Sequence, residues 1–557
     1  MAVELDLADI QGNILTAYGK DGFPKGRFML FHIEKGDLAR RFVSATVPMI
    51  TTALRWKSKQ HIPTGKREVD RPQVAVNIAF TWYGLLALGI PTRTLRGMPD
   101  EFIAGMTARA PMLGDDFTGD DWKKTWDEVW INSGQDHGIH PDTVHILIML
   151  NAQMNPDGSA VSALEAKTRE ILNLRQEIGG VKLLTGHNRP GHRPKRDFQE
   201  LSALLKPNSD GTATATPKEH FGFTDAVGDP VFDGQYPNHH EKFYEVGNGA
   251  LDGKGNWRPL ATGEFLLGYP DEAQEIAGAA MPLDFSRNGT FVAYRKLQEN
   301  VDVFNTFLDE RAKEFAAVVG IQSDDARDTL MAKMAGRWKD GVPVSLAPTF
   351  AKWIEFNDRH PDVDPKVDPA GAAARYKALA NFKFRYPKND HGQPDPLDDP
   401  EGTRCPLTAH IRRVNTRDMM APTGAEGSVL NNRRRILRRG LPYGGPDDAE
   451  RGIVMLVVCA SLFRQFEFVQ QQWLNYGLDS RAGSDTCPIV GNHSDGTPGG
   501  KNGPKAKFVI PSDPASGHPS FIVEGIPQFV ETRGGEYFFV PSMTALRMIG
   551  MGVVDPT

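Results

Sequence analysis

Cysteine is scarce in this chain: Cys405, Cys459 and Cys487 are the only three among 557 residues, too few and too scattered for a disulfide framework. No C-x-x-C pair occurs, which removes iron–sulfur clusters and structural zinc ribbons. The absence of C-x-x-C-H excludes thioether attachment of a haem. No apolar run approaches the length that spans a bilayer. A basic excess is missing too: 64 Lys and Arg stand against 70 Asp and Glu, for a net charge of −6, whereas a dedicated nucleic-acid binder is clearly basic. The N-terminus, MAVELDLADIQGN, has no basic stretch, no apolar stretch and no twin-Arg start. It reads as cytoplasmic, with secretion after removal of a leader as the alternative. Nucleotide hydrolysis and serine-hydrolase chemistry lack their motifs, since Gly499-Gly-Lys501-Asn is no phosphate loop and no Gly-x-Ser-x-Gly elbow exists.

What is present is a long chain that alternates strand-like and helix-like stretches, enough for two domains. Arg27 to Glu34 reads as a strand, Asp37 to Trp56 as a helix and Val74 to Thr81 as a second strand. A short helix over Tyr83 to Leu88 follows, then a strand over Asp142 to Ala152, a helix through the 160s and 170s, and a strand over Val181 to Thr185. Strand–helix–strand–strand–helix–strand is the ferredoxin-like α+β order. A polar stretch rich in Pro, Lys and Arg over residues 186–218 reads as a linker, dividing the chain into domains 1–215 and 216–557. In the second, Gly263 to Gly268, Thr290 to Lys296, Phe508 to Pro511 and Gly535 to Val540 read as strands. Val301 to Val319 and about Gly452 to Leu474 read as helices, and residues 323–393 as an insertion. The two halves are candidates for distant copies of one fold.

Four stretches carry candidate chemistry. His220-Phe-Gly-Phe-Thr-Asp225 sets a carboxylate among aromatic residues in a Gly-containing loop, where it is either an acid/base or a turn-closing Asp. Cys405-Pro-Leu-Thr-Ala-His410-Ile-Arg412-Arg413 places a His among small and apolar residues with two Arg behind it. That suits a metal-ligating imidazole beside anionic groups, or else a hydrogen-bonded core histidine. Arg433-Arg-Arg-Ile-Leu-Arg438-Arg439-Gly-Leu-Pro-Tyr-Gly444 holds five Arg in seven residues, either a nucleic-acid or acidic-partner patch, against which the acidic net charge speaks, or a fixed Arg ahead of a rigid turn. Glu467, amid large apolar residues on an expected helix, needs a partner, and an imidazole N–H would serve.

Asp9-Ile-Gln-Gly-Asn-Ile-Leu15, Gly263-Glu-Phe-Leu-Leu-Gly-Tyr269, Asn288-Gly-Thr-Phe-Val-Ala-Tyr-Arg295, Ala409-His410-Ile-Arg and Ile436-Leu-Arg438-Arg-Gly-Leu-Pro-Tyr-Gly, in this order, resemble the dye-decolorizing peroxidase family, in its larger, fungal-like and bacterial branch. The resemblance implies an α+β fold of two ferredoxin-like domains in a tandem, dimeric α+β barrel-like arrangement, with non-covalent haem b in the C-terminal half. It implies an oxidoreductase that uses hydrogen peroxide to oxidise bulky phenolic or dye-like reductants by one-electron steps, as a monomer or homo-oligomer, without nucleic-acid or membrane partners. His410 then matches the iron ligand and Asp225 the acid/base of a Gly-x-x-Asp-Gly motif. Arg438 matches the distal Arg, with Arg439 next in register. Arg295, Arg412 and Arg413 become contacts to the haem propionates, Glu467 the partner of His410, and Phe223, Ile453 and Met455 pocket lining. Two departures stand out: Ala226 replaces the final Gly of the motif, and Ile453 and Met455 stand where Leu and Phe are usual. The rival readings are a haem carrier or iron-release protein on the same fold, and a non-catalytic protein that binds an acidic partner through the Arg run.

Overall fold

The computed structural model describes residues 3–57, 68–115, 122–133, 140–225, 227–235, 249–252, 255–277, 279–364, 367–386, 392–393, 395–420, 429–493, 506–512 and 516–554. Strand β1 (Lys25–Ile33) carries Phe28 and Leu30 on one face and Met29 and Phe31 on the other, all buried, so it is covered on both sides. With β2 (Val74–Phe80), β3 (Ile146–Ala152) and β4 (Val181–Leu183) it forms an antiparallel sheet in the order β2–β3–β1–β4. Helices α1 (Gly36–Thr46) and α2 (Ser162–Ile178) cross between β1 and β2 and between β3 and β4. This is the ferredoxin-like order expected from the sequence, although α1 stops ten residues before Trp56. Pro48 follows in a 3₁₀ turn, and proline cannot continue the α-helical ladder.

Within the stretch read as a linker, β5 (Gln199–Ser202) pairs with β1 beyond β4. The second half then repeats the first. Strands β6 (Thr290–Glu299), β7 (Leu437–Tyr443), β8 (Gly452–Cys459) and β9 (Val530–Val540) take the order β7–β8–β6–β9, the same permutation as in the first half. One pair, Phe539 to Phe80, joins β9 to β2 and makes the sheet continuous. At the other end β5 lies against β7, closing the sheet towards a barrel whose interior holds Phe28, Leu147, Tyr294, Leu456 and Phe538.

Three expectations are corrected. Gly452 to Cys459 is a strand and not the start of a helix; its Ile453-Val-Met-Leu-Val-Val run alternates between the two sheet faces, and β-branched residues favour that pleat. Only Leu462–Glu467 and Val469–Leu474 coil, as π-helical turns. Leu437 to Tyr443, read as the approach to a turn, is also a strand. Gly263 to Gly268 is not a strand: Thr262–Glu264 form a 3₁₀ turn, and Gly263 lies so close to Tyr269 and Pro270 that a Cβ there would be 2.2 Å from the Tyr269 carbonyl oxygen. Phe508 to Pro511 falls on Lys507–Ile510, a strand of a separate two-stranded sheet.

Between β6 and β7 the chain makes α3 (Val301–Val319), α4 (Ser323–Ala335), α5 (Phe350–Arg359), α6 (Pro369–Ala380) and the short α7 (His410–Val414). Residues 323–393, read as polar, build a core of their own. Trp338 stacks on Trp353 with centroids 4.6 Å apart and planes at 2°, and its Nε1 donates to the Ala347 carbonyl at 2.8 Å. The same core takes in Ala409 and Ile411, which flank His410. Trp338→Ala is therefore expected to cost about 3–5 kcal/mol, read by urea denaturation; a loss below about 1 kcal/mol would show that this core does not anchor α7.

Candidate active site

On the outer face of the second half-sheet the packing opens. Along β6 that face changes from Phe291 and Ala293, which meet helices, to Arg295, Leu297 and Glu299, which line a cavity of about 660 Å³, within the ~300–1,000 Å³ usual for small-molecule and cofactor sites. Ile453, Met455 and Val457 of β8 and Arg438 of β7 continue this sheet wall, while His410, Ile411 and Val414 of α7 and Phe466 and Val469 of the π-helical turns form a helical wall. Phe221, Phe223 and Asp225 close one side. A second cavity of about 910 Å³ shares Asp225, Arg438, Ile453 and Met455 with the first and runs past Lys20, Arg71 and Tyr376.

Asp225 and Arg438 meet as an ion pair at 2.7 Å, each about one-third exposed, and the Asp225 charge raises the Arg438 guanidinium above its usual range. Strand alternation sends the next residue elsewhere: Arg439 donates to the carbonyls of Asn13 and Ile14 at 3.0 and 2.9 Å. Burial brings the His410 imidazole down to about 4; the Arg438 charge pushes the same way and Asp225 opposes it. His410 is thus neutral at ordinary pH. Its Nδ1 lies 3.3 Å from Cys487 Sγ, which leaves Nε2 to take a ligand. Ala226 lies outside the described residues.

The partner expected for His410 is corrected. Glu467 is occupied on the far side of its helical turn: Arg109 donates to both of its carboxylate oxygens and Tyr537 Oη to one at 2.8 Å. Arg412 and Arg413 do not face the cavity either. Arg412 pairs with Asp399 at 2.6 Å, and Arg413 donates to the carbonyls of Thr408, Trp473 and Asp485. On a helix, successive residues turn by about 100°, so Arg412, two positions on, points to the opposite face from His410, while Arg413, three positions on, is drawn off by those three carbonyls. Arg295 does line the cavity, but Asp115 clamps it bidentately at 2.7 and 2.6 Å.

Three other arginines, unforeseen in the sequence, supply the cationic groups. Arg337 donates to the carbonyls of Gly341 and Leu379, Arg417 to those of Phe382 and Ala380, and Arg435 to that of Gly249. Each retains one buried nitrogen without a partner: Arg337 Nη2, Arg417 Nη1 and Arg435 Nη2. Two of these converge beside Gly228, where a Cβ would be 3.4 Å from Arg337 Nη2, 3.5 Å from Asn415 Nδ2 and 3.7 Å from Arg417 Nη1. Gly228, with φ +89°, supplies the space. Arg435 sits within the Arg run, and the rest of the run is also engaged, Arg433 with Asp271 and Glu275 and Arg434 with the Arg464 carbonyl. The run is built into the fold and is not a solvated patch for an acidic partner.

Among the described residues no group of three or more His, Cys, Asp or Glu side chains could hold a metal. A group that brings its own metal ligands and carries anions would meet both the His410 imidazole and the unpaired guanidinium nitrogens. Apolar walls, one free imidazole and a cationic rim fit haem with its two propionates.

Residues 9–190 match the family model for the dimeric α+β barrel domain of dye-decolorizing peroxidases. Peroxidase 2 of Mycetinis scorodonius is 29% identical over 568 residues, covering 98% of this chain and 88% of its own length. A dye-decolorizing peroxidase of Exidia glandulosa is 27% identical, covering 97% and 86%. Over nearly its whole length the chain is similar to dye-decolorizing peroxidases. The chain also shares its fold with an ancestral D-type dye-decolorizing peroxidase, at a TM-score of 0.66 and 24% identity over 98% of this chain and 99% of that one. The Auricularia auricula-judae enzyme superposes with a TM-score of 0.65 at 23% identity, covering 99% of both chains. No helix among the described residues is long and apolar enough to cross a membrane.

Beside Asp225 lies a carboxyl pair that the sequence did not suggest. Glu219 accepts from the backbone N–H of Phe221 and Phe223 at 2.7 Å each, and Glu299 from that of His220 at 3.0 Å. The two carboxyl groups lie within hydrogen-bonding reach of each other. Burial raises Glu219 from 4.5 to about 7, against the hydrogen bond from Glu299, while burial and the Glu219 charge hold Glu299 well above its usual range, so a proton is shared between them. Because the folded value of Glu219 lies above its unfolded one, the stability it contributes is complete below pH 4.5 and is lost as pH rises through about 7. Glu219→Gln should accordingly gain stability relative to the unsubstituted protein across that window, in denaturation series of the apoprotein. A difference that does not change with pH would rule out the shared proton.

Proposed function

We propose that this enzyme is a haem-dependent peroxidase that uses hydrogen peroxide to oxidise phenolic or dye-like reductants in one-electron steps, with haem b held non-covalently in the cavity between α7 and the second half-sheet. One observation carries the reading: a free imidazole on the helical wall, an Asp–Arg pair at the sheet wall and the unpaired buried guanidinium groups of Arg337 and Arg435 all meet one apolar cavity. His410 would hold the iron through Nε2, and Arg337, Arg417 and Arg435 the propionates. Bound haem supplies an iron centre that exchanges electrons with peroxide and reductant. Around it, Asp225 takes a proton from one peroxide oxygen and returns it to the other as their bond breaks, while Arg438 stabilises the negative charge that develops there. Ile453, Met455 and Phe223 keep the haem-facing space apolar, and the second cavity gives peroxide a route to the Asp–Arg pair. Dye and phenol oxidation are named for its relatives, among them a dye-decolorizing peroxidase in complex with 2,6-dimethoxyphenol, and extend to this chain as part of the proposal.

Asp225→Asn is expected to retain the haem spectrum and lose about 10²–10⁴-fold in the rate of reaction with peroxide, the range of one general acid–base group; stopped-flow absorbance would show it, and an unchanged rate would sink the assignment. His410→Ala should lose axial ligation in the visible spectrum. Arg337→Met should keep that ligation while binding haem at least about 10-fold more weakly, since one charge-assisted hydrogen bond is removed. Equal haem affinity in a titration would mean that the propionates lie elsewhere.

A further inference from the structure

We propose that Cys487 is the positioning residue for the His410 imidazole, and that its thiol, in a place where iron-ligating histidines ordinarily meet a carboxylate or a carbonyl, leaves His410 a weak electron donor to the iron. The inference rests on reading His410 as the ligand. Cys487 Sγ is the atom at Nδ1, at 3.3 Å, and the residue is fully buried. Its backbone is fixed on both sides: Cys487 N donates to the Leu474 carbonyl at 2.7 Å, and its own carbonyl accepts from Gly491 N at 3.0 Å and is met by His493 Nε2 at 2.9 Å. The turn is tight enough that a Cβ at Gly491 would sit 2.6 Å from that carbonyl, so the backbone that carries the sulfur is held beside the imidazole.

The nearby carboxylates are committed elsewhere. Glu467 is taken by Arg109 and Tyr537. Asp485, two residues before Cys487, turns its carboxylate to Lys507 at 3.5 Å. A carboxylate at Nδ1 draws the proton away and makes the ligating nitrogen more basic. A thiol sulfur is only a weak acceptor, so the Nδ1 proton stays on the ring and Nε2 donates less density. Hydrogen bonding at the axial ligand is one of the levers that set the potential of a haem. The ferric state is therefore less stabilised here than it would be with a carboxylate at this position.

The test uses the haem-loaded protein with Cys487→Asp, Cys487→Ser and Cys487→Ala, read by the ferric/ferrous midpoint potential and by the iron–histidine stretch in resonance Raman spectra of the ferrous form. Asp should lower the potential and raise the stretching frequency. Ser, a stronger acceptor of similar size, should shift both the same way by less, and Ala should leave both near the starting values. If Asp does not fold, Ser carries the comparison. Unchanged potential and stretch in Asp and Ser, or equal shifts in all three variants, would overturn the proposal, because a packing role alone does not order the variants by acceptor strength. An iron–histidine stretch that survives in His410→Ala would instead overturn the ligand assignment and leave the role of Cys487 without its premise.

Discussion

Three guanidinium groups buried with one nitrogen each unpaired set the terms for the whole cavity. Leaving a buried donor without a partner costs roughly 1–3 kcal/mol; burial, with neighbouring cations adding to it, presses the Arg417 guanidinium well below its usual range and Arg337 to about 10, and burial brings Arg435 to about 10 against the pull of Asp229 and Glu272. The fold holds them there all the same, because backbone carbonyls of Gly341, Phe382 and Gly249 grip the other nitrogens. A site that accepts such a cost without an anion is organised around binding one. The cradle at Gly228 and the free imidazole of His410 both open on the same cavity, so one occupant with a metal and two carboxylates answers both.

The duplication of the sheet explains where that occupant goes. Both halves share one strand permutation, but their outer faces are used differently. In the first half α1 and α2 close over Met29, Phe31, Val76 and Ile148 and form an ordinary core. In the second the crossover between β6 and β7 is expanded by α4 to α7, whose packing rests on α3 and on Trp338 and Trp353. The helical layer therefore stands off from Arg295, Ile453 and Met455, and the gap becomes the site. One copy of the unit keeps the barrel shut while the other is free to hold a cofactor.

How much of this was legible follows from how local each signal was. The ferredoxin-like order of the first half shows in the sequence because its strands are short apolar runs separated by a helix of clear period, and α3 could be placed to the residue for the same reason. His410, Asp225 and Arg438 each sit in a stretch whose neighbours constrain it. Arg337 and Arg417 lie in segments that no local pattern marks, and within the Arg run nothing sets Arg435 apart from its neighbours. Arg412 and Arg413 misled because proximity in sequence was read as a shared target: Arg412 lies on the opposite side of the helix from His410, and Arg413 is taken up by backbone carbonyls. Glu467 misled for a different reason: that a buried carboxylate has a partner was right, but Arg109 lies more than 350 positions away. Cys487 drew no notice, since a buried cysteine ordinarily behaves as a small hydrophobe.

The contrast among the ion pairs bears on how the proposed chemistry can run. Lys296–Asp127 and Arg295–Asp115 are almost wholly buried, with side chains 2% and 2% exposed in one and 4% and 3% in the other. Breaking such a pair costs about 3–5 kcal/mol because a charge is left uncompensated. Asp225–Arg438 is exposed at 31% and 32%, where an ion pair contributes only about 0–1 kcal/mol. An acid/base must release its partner each time it takes a proton from substrate. Of the ion pairs that touch the cavity walls, the Asp225–Arg438 pair can do so cheaply, and its place between two connected cavities gives the incoming molecule something to displace. Rigid pairs fix the sheet on which the site is built; the loose pair is the one left to react.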